Sequence, residues 1–131
     1  WEHSFTPAIN HYIRKNLNFK TDLKYNVFGP VDPWNFDNDN TREDLRRAMA
    51  ENPYLNVLIQ SGYYDGATTY FSAKYTMWQT DPSGKMKKRF TFKGYRGGHM
   101  MYLRNEDLIK ANDDLRDFIL KTLSKGKPAK Y

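Results

Sequence analysis

No cysteine occurs among the 131 residues, so disulfides and thiolate metal sites are excluded. A cysteine-free chain suits either redox compartment, and the absence does not locate the protein. No run approaches ~20 consecutive apolar residues, so no membrane-spanning helix is expected. Phosphate-cradling motifs are missing too: there is neither a P-loop nor a G-x-G-x-x-G. None of the serines at 4, 61, 72, 83 and 124 stands in a G-x-S-x-G context. The histidines, His3, His11 and His99, show no H-x-x-x-H ligand spacing, and nothing calls for a metal or a cofactor. The first residue is Trp1, and no charged-then-apolar signal segment follows it. That start is expected of a processed chain or of a piece of a longer one.

Aromatic residues are plentiful at 16%, within an apolar share of 39%. Large aromatics bury well, which argues against intrinsic disorder, and the length suits one domain. Net charge is +6, but Lys121, Lys125, Lys127 and Lys130 in the last eleven residues account for four of those charges. The remaining excess is concentrated at Lys85, Lys87, Lys88 and Arg89, beside a turn. A nucleic-acid surface would need a basic stripe on a folded face, so no nucleic-acid partner is expected.

Residues 6–17 read as a helix, capped by Thr6 with Pro7 first, and Phe5, Ala8, Ile9, Tyr12 and Ile13 on one face. The stretch 18–40 is read as loop, broken by Gly29, Pro30 and Pro33, with at most a short strand at 25–28. Thr41 opens a second helix, with Asp44 as a weak capping box and Leu45, Ala48 and Met49 on the buried side. Asn52-Pro53 stops it. The apolar run from Leu55 to Ile59, ending in Gln60, Ser61 and Gly62, predicts a buried strand over 55–61. A helix over 69–80 and a turn at 81–84 follow. Alternation over 88–95 predicts a second strand, with Phe90 and Phe92 facing one way and Arg89, Thr91 and Lys93 the other. Asn105 caps a last helix over 106–123, with Leu108, Ile109, Leu115, Phe118, Ile119 and Leu123 inward. A mobile basic tail from Ser124 completes the chain.

The order is that of an α/β chain: a βαβ unit with a trailing helix. Two parallel strands alone make a poor sheet, because parallel sheets are covered on both faces and usually have more strands. A larger sheet is expected, with its other strands outside this chain. The exposed sheet edge then predicts self-association.

Asp65 follows the first strand and His99 the second. Functional groups of open parallel sheets gather at the carboxyl ends of strands, so these two loops should meet. A carboxylate there would hold the imidazole tautomer and leave the other ring nitrogen as a base. The plainer alternative is a turn aspartate and an exposed histidine. Tyr63, Tyr64, Tyr70 and Phe71 cluster nearby, as core and rim aromatics or as walls of a substrate pocket.

The segment from Asn52 to Asp65, with its Gly62-x-x-Asp65, resembles the C-terminal part of serine carboxypeptidases of the S10 peptidase family. So does Phe90 to Met100, which ends Gly97-Gly98-His99-Met100. Thr6 to Asn10 and Asp44 to Met49 are similar to bacterial members, so the likeness covers most of residues 5–120. The resemblance implies an α/β-hydrolase fold with triad order Ser, Asp, His, which Asp65 and His99 obey. It implies a catalytic Asp65 and His99, substrate contacts from Met100 and Tyr64, a peptide substrate and a secreted or periplasmic location. The nucleophile elbow and oxyanion loop are absent, so the remainder of a parent enzyme is the expected partner and this chain alone should be inactive. The whole of 1–131 then reads as one portion of a peptidase domain: 1–40 leads in, 41–123 is the core, and 124–131 is the tail. A non-catalytic protein-binding module on the same fold is the alternative.

Overall fold

The computed structural model describes residues 2–23, 25, 37 and 40–123. The chain divides into two compact units, Trp1–Asp39 and Asn40–Tyr131. The expected strand at 25–28, apart from Tyr25 itself, and the tail beyond Leu123 lie outside the described residues.

In the first unit α1 spans Glu2–Lys15. It begins a turn earlier than the capping pattern predicts, so Thr6 is helical and is not a cap, and Pro7 lies inside. Proline's fixed φ suits a helix, but at this position the ring removes the bond to the His3 carbonyl and crowds that carbonyl. The helix ends on Asn18, in the left-handed region at φ 49°. The Leu17 N–H bonds the Tyr12 carbonyl at 3.1 Å and the Phe19 N–H reaches back to the Ile13 carbonyl at 3.0 Å, so the chain folds back over the last turn. Phe5, Ala8, Ile9 and Tyr12 line a groove of about 400 Å³ together with Tyr25.

The second unit runs α2 (Arg42–Glu51), β1 (Val57–Gly62), α3 (Tyr70–Thr80), β2 (Phe90–Tyr95) and α4 (Asn105–Thr122). Short 3₁₀ turns stand at Lys87–Arg89 and Met101–Leu103. The strands β1 and β2 are parallel, in register from Val57 opposite Phe90 to Gly62 opposite Tyr95. The chain is therefore α/β, with a two-stranded parallel sheet. On β2, Phe92 faces α3, whose Lys74 lies over its ring at 5.7 Å. Lys93 faces α4 and pairs with Asp114 at 2.6 Å. Strand alternation thus puts the two helices on opposite faces.

Caps differ from the sequence patterns at α2 and α4 as well. Thr41 makes no side-chain cap on α2; the Asn40 Oδ1 accepts from the Arg42 N–H at 3.1 Å instead. Asn105 is the first residue of α4 and not its cap. At α3 the cap is Thr69, which the sequence reading placed inside the helix; its hydroxyl accepts the Ser72 N–H at 3.3 Å. The strands are only half-buried, and Leu108, Ile109, Leu115 and Ile119 on α4, with Leu123 just past it, are exposed, Ile109 by 63%. Ala48 of α2 is exposed as well, while Met49 beside it is fully buried. Two strands are too narrow to cover the apolar side of an 18-residue helix.

Polar bonds tie α4 to the sheet. The hydroxyl of Tyr95, 1% exposed, donates to Asp114 Oδ2 at 3.0 Å and accepts from Gln60 Nε2 at 2.8 Å. Gln60 Nε2 also donates to the Ala111 carbonyl at 2.9 Å. Burial, reinforced by the Asp114 carboxylate, pushes the Tyr95 hydroxyl up to about 12.

Gly62 closes β1 against the second loop. A Cβ there would stand 2.5 Å from the Gly97 carbonyl oxygen and closer still to that of Gly98. The Gly62→Ala variant should lose about 1–3 kcal/mol in urea unfolding. The Gly66→Ala variant, where an added Cβ meets nothing within 4 Å, should stay within about 0.5 kcal/mol of the parent. In a spectrophotometric titration, one tyrosine should ionise late, near pH 12, and Tyr95→Phe should remove that phase. Because the folded value is raised, this stabilisation is whole below about pH 10 and is lost as pH rises through 12.

Candidate functional site

The loops after β1 and β2 lie side by side. The Tyr63 N–H bonds the Tyr95 carbonyl at 2.8 Å, continuing the strand ladder, and the Tyr64 N–H bonds the Gly97 carbonyl at 3.2 Å. A second anchor comes from α4, where the buried Asp107 carboxylate accepts the Gly97 N–H at 2.7 Å and Arg104 Nη1 at 3.1 Å. An acid in the first turn also suits the helix dipole.

These loops bring Asp65 and His99 together: His99 Nδ1 lies 3.0 Å from Asp65 Oδ2. Asp65 is buried, whereas the imidazole is 48% exposed. Asp65 is at the same time a turn residue. Its Oδ1 accepts the N–H groups of Ala67 at 2.9 Å and Thr68 at 3.0 Å, an Asx-type turn leading into α3. The Thr68 hydroxyl donates to Oδ2 at 2.7 Å and lies 3.5 Å from His99 Nδ1. The functional and the local readings of Asp65 are therefore both realised by one carboxylate.

The Thr68 hydroxyl and N–H, with His99 and the Ala67 N–H, outweigh burial and hold the Asp65 carboxyl well below the usual carboxylate range. An ionised carboxylate only accepts, so Nδ1 must carry the proton across the 3.0 Å contact. This fixes the tautomer and assigns base chemistry to Nε2.

Met100 and Tyr64, expected at a substrate pocket, adjoin the pair in sequence. Tyr64 is exposed, and the Met100 carbonyl accepts the Leu103 N–H at 3.0 Å. Of the serines, Ser83 donates to Asp81 at 3.1 Å, Ser72 is bonded by Thr69 at 2.7 Å, Ser61 lies within β1 and Ser4 within α1. Ser124 lies outside the described residues. No grouping of three metal-ligating side chains occurs among the described residues. None of their helices is long and apolar enough to cross a membrane.

Sequence reasoning missed Thr68 and the Asp107–Arg104 anchor. The spacing Asp65-x-x-Thr68 was a readable turn signal; the Asp107 bond to Gly97 had none, because it joins a loop to a helix ten residues on. No family model, curated protein or solved structure matches this chain.

Asp65 has a lowered folded-state value, so its stabilisation is present above about pH 4 and is lost as pH falls below that. Thr68→Val should move the acid unfolding transition up by roughly 1 pH unit, while Thr68→Ser should keep it. Urea midpoints between pH 2 and 6, with the carboxyl carbon shift of Asp65 followed by NMR, check both.

Proposed function

We propose that this chain is the C-terminal portion of a serine carboxypeptidase of the S10 family, with an α/β-hydrolase fold. It contributes Asp65 and His99 to a Ser-Asp-His triad. The observation that carries the reading is the 3.0 Å bond from His99 Nδ1 to Asp65 Oδ2, at the carboxyl ends of two neighbouring parallel strands. The chain order, Asp before His, and the Gly62-x-x-Asp65 and Gly97-Gly98-His99-Met100 motifs support it. Residues 1–131 form one portion of the peptidase domain, working with the rest of the parent enzyme in a secreted or periplasmic setting.

The nucleophilic serine and the oxyanion donors come from chain outside these residues. His99 Nε2 takes the serine proton as Oγ attacks the scissile carbonyl, then gives it to the leaving amine. Water repeats the cycle on the acyl-enzyme. Asp65 stays ionised throughout, orienting the ring and stabilising the imidazolium. With its carboxyl held so low, Asp65 sets no acid limit on the reaction within the ordinary working range. Tyr64 and Met100, which adjoin the pair in sequence, wall the site for the departing residue in this reading.

The second reading, a non-catalytic module that binds a protein through this fold, is favoured by the exposed apolar side chains of α4, among them Leu108, Ile109, Leu115 and Ile119. The two separate on the full-length product of the parent reading frame. A G-x-S-x-G upstream, one equivalent of fluorophosphonate label and release of the C-terminal residue from a blocked dipeptide are expected of the enzyme. His99→Ala and Asp65→Asn should each lower kcat by about 10⁴-fold. Full activity in His99→Ala, or a reading frame with no such serine, would overturn the enzyme reading. The 131 residues alone should take no label, for want of nucleophile and oxyanion donors.

A further inference from the structure

A second cavity lies at the opposite end of the sheet from His99. It measures about 600 Å³ and is walled by Met77 and Trp78 of α3, by Phe90 and Phe92 of β2, and by the turn from Asp81 to Gly84. Phe90 and Phe92 stack at 6.4 Å, giving the cavity an aromatic floor. Such apolar walls with a few polar groups are the usual make-up of a small-molecule site.

The polar groups here are cationic. Lys74 and Lys87 line the cavity. The Lys74 Nζ lies 5.5 Å from the Trp78 ring centroid, 5.7 Å from that of Tyr70 and 5.7 Å from that of Phe92. Lys85, Lys88 and Arg89 follow in the same turn and 3₁₀ segment, the basic cluster that the charge distribution singled out. None of these five cations is in an ion pair among the described residues. The one acid of the cavity, Asp81, is engaged by the Ser83 hydroxyl at 3.1 Å and the Met86 N–H at 2.7 Å.

We infer that this cavity binds a small amphiphilic anion, an aryl or acyl carboxylate, with its apolar part on Phe90, Phe92 and Trp78 and its carboxylate at Lys74 and Lys87. The charge complementarity is direct. The aromatic floor takes the hydrocarbon, and two ammonium groups with no ion pair among the described residues lie at its border, with three further cations raising the local positive potential. The site is independent of the triad reading, because it uses none of the residues around Asp65 and His99.

The probe is 4-phenylbutyrate, titrated into the full ¹⁵N-labelled chain and compared with its neutral amide. Shifts should be confined to the Trp78 indole N–H and the amides of Ser83, Gly84, Phe90 and Phe92, saturating at ~millimolar ligand. The amide should bind roughly 5-fold more weakly, and the difference should shrink with added salt. Lys74→Met should abolish the preference for the carboxylate, Lys74→Arg should keep it, and Lys87→Gln gives a second reading should Lys74→Met fail to fold. Equal binding of acid and amide, shifts spread over α4, or no saturation would overturn the proposal. Displacement of the probe by a short random oligonucleotide would assign the surface to nucleic acid and overturn it as well.

Discussion

Gly62 ends β1 with its backbone against the carbonyl oxygens of Gly97 and Gly98, at a separation that no Cβ would allow. Two loops 35 residues apart are thereby held at backbone contact, with the Tyr63 and Tyr64 N–H groups bonded across to Tyr95 and Gly97. Everything at the candidate site follows from that approach. Asp65 leaves the first loop three residues after Gly62, and His99 leaves the second one residue after Gly98. A histidine held by its carboxylate alone would swing with either loop. Here one loop is pinned by the Asx turn at Asp65 and the other by Asp107, so the pair depends on backbone that is itself bonded.

Much of this was legible in the residues. The apolar run after Asn52-Pro53 and the Phe90–Phe92 alternation locate both strands within two residues of their ends, and the intervening helix, the parallel pairing and the meeting of Asp65 with His99 follow from them. Periodicity failed where its information ends. It shows that Leu108, Leu115 and Ile119 share a side of α4, but not what covers that side, and two strands do not. Caps failed for a related reason. Thr41 and Asn105 have the right chemistry, yet Asn40 takes the bond at α2, and at α4 the residue before Asn105 marks the helix boundary. Neighbouring cap-competent residues differ by fractions of a kcal/mol, and packing chooses between them.

The interior of the second unit is unusually polar for its size. Met49, Tyr95 and Ala111 are its buried apolar residues, while Asp65, Thr80, Asp81 and Asp107 are buried polar ones. Each of those four side chains is bonded: Thr80 to the Thr76 carbonyl at 2.8 Å, Asp81 within its turn, Asp65 and Asp107 at the two loops. No buried side-chain polar atom among the described residues lacks a partner. Bonded polar groups contribute little net stability but cost heavily when broken, so such an interior specifies geometry more than it supplies energy.

Parallel strands give the two ends of a sheet different electrostatics, and the two acids of the candidate site lie at the end that suits them. Helices run antiparallel to the strands they connect, so α3 and α4 begin at the carboxyl ends of the strands. Asp65 precedes the first turn of α3, and Asp107 lies in the first turn of α4, where the dipoles favour anions. At the other end α3 terminates at Thr80 with Asp81 as its C-cap, and Lys85, Lys87, Lys88 and Arg89 follow five to nine residues on, past the reach of its dipole. That field reaches only the last turn of a helix, where α3 carries no basic residue, so it does not account for the basic turn. Nor does it account for Lys74, which lies mid-helix on the apolar side, over three aromatic rings and without a carboxylate partner among the described residues. A lysine so placed packs its stem against the rings, gains cation–π attraction from three of them and keeps its ammonium at the border of the cavity it lines.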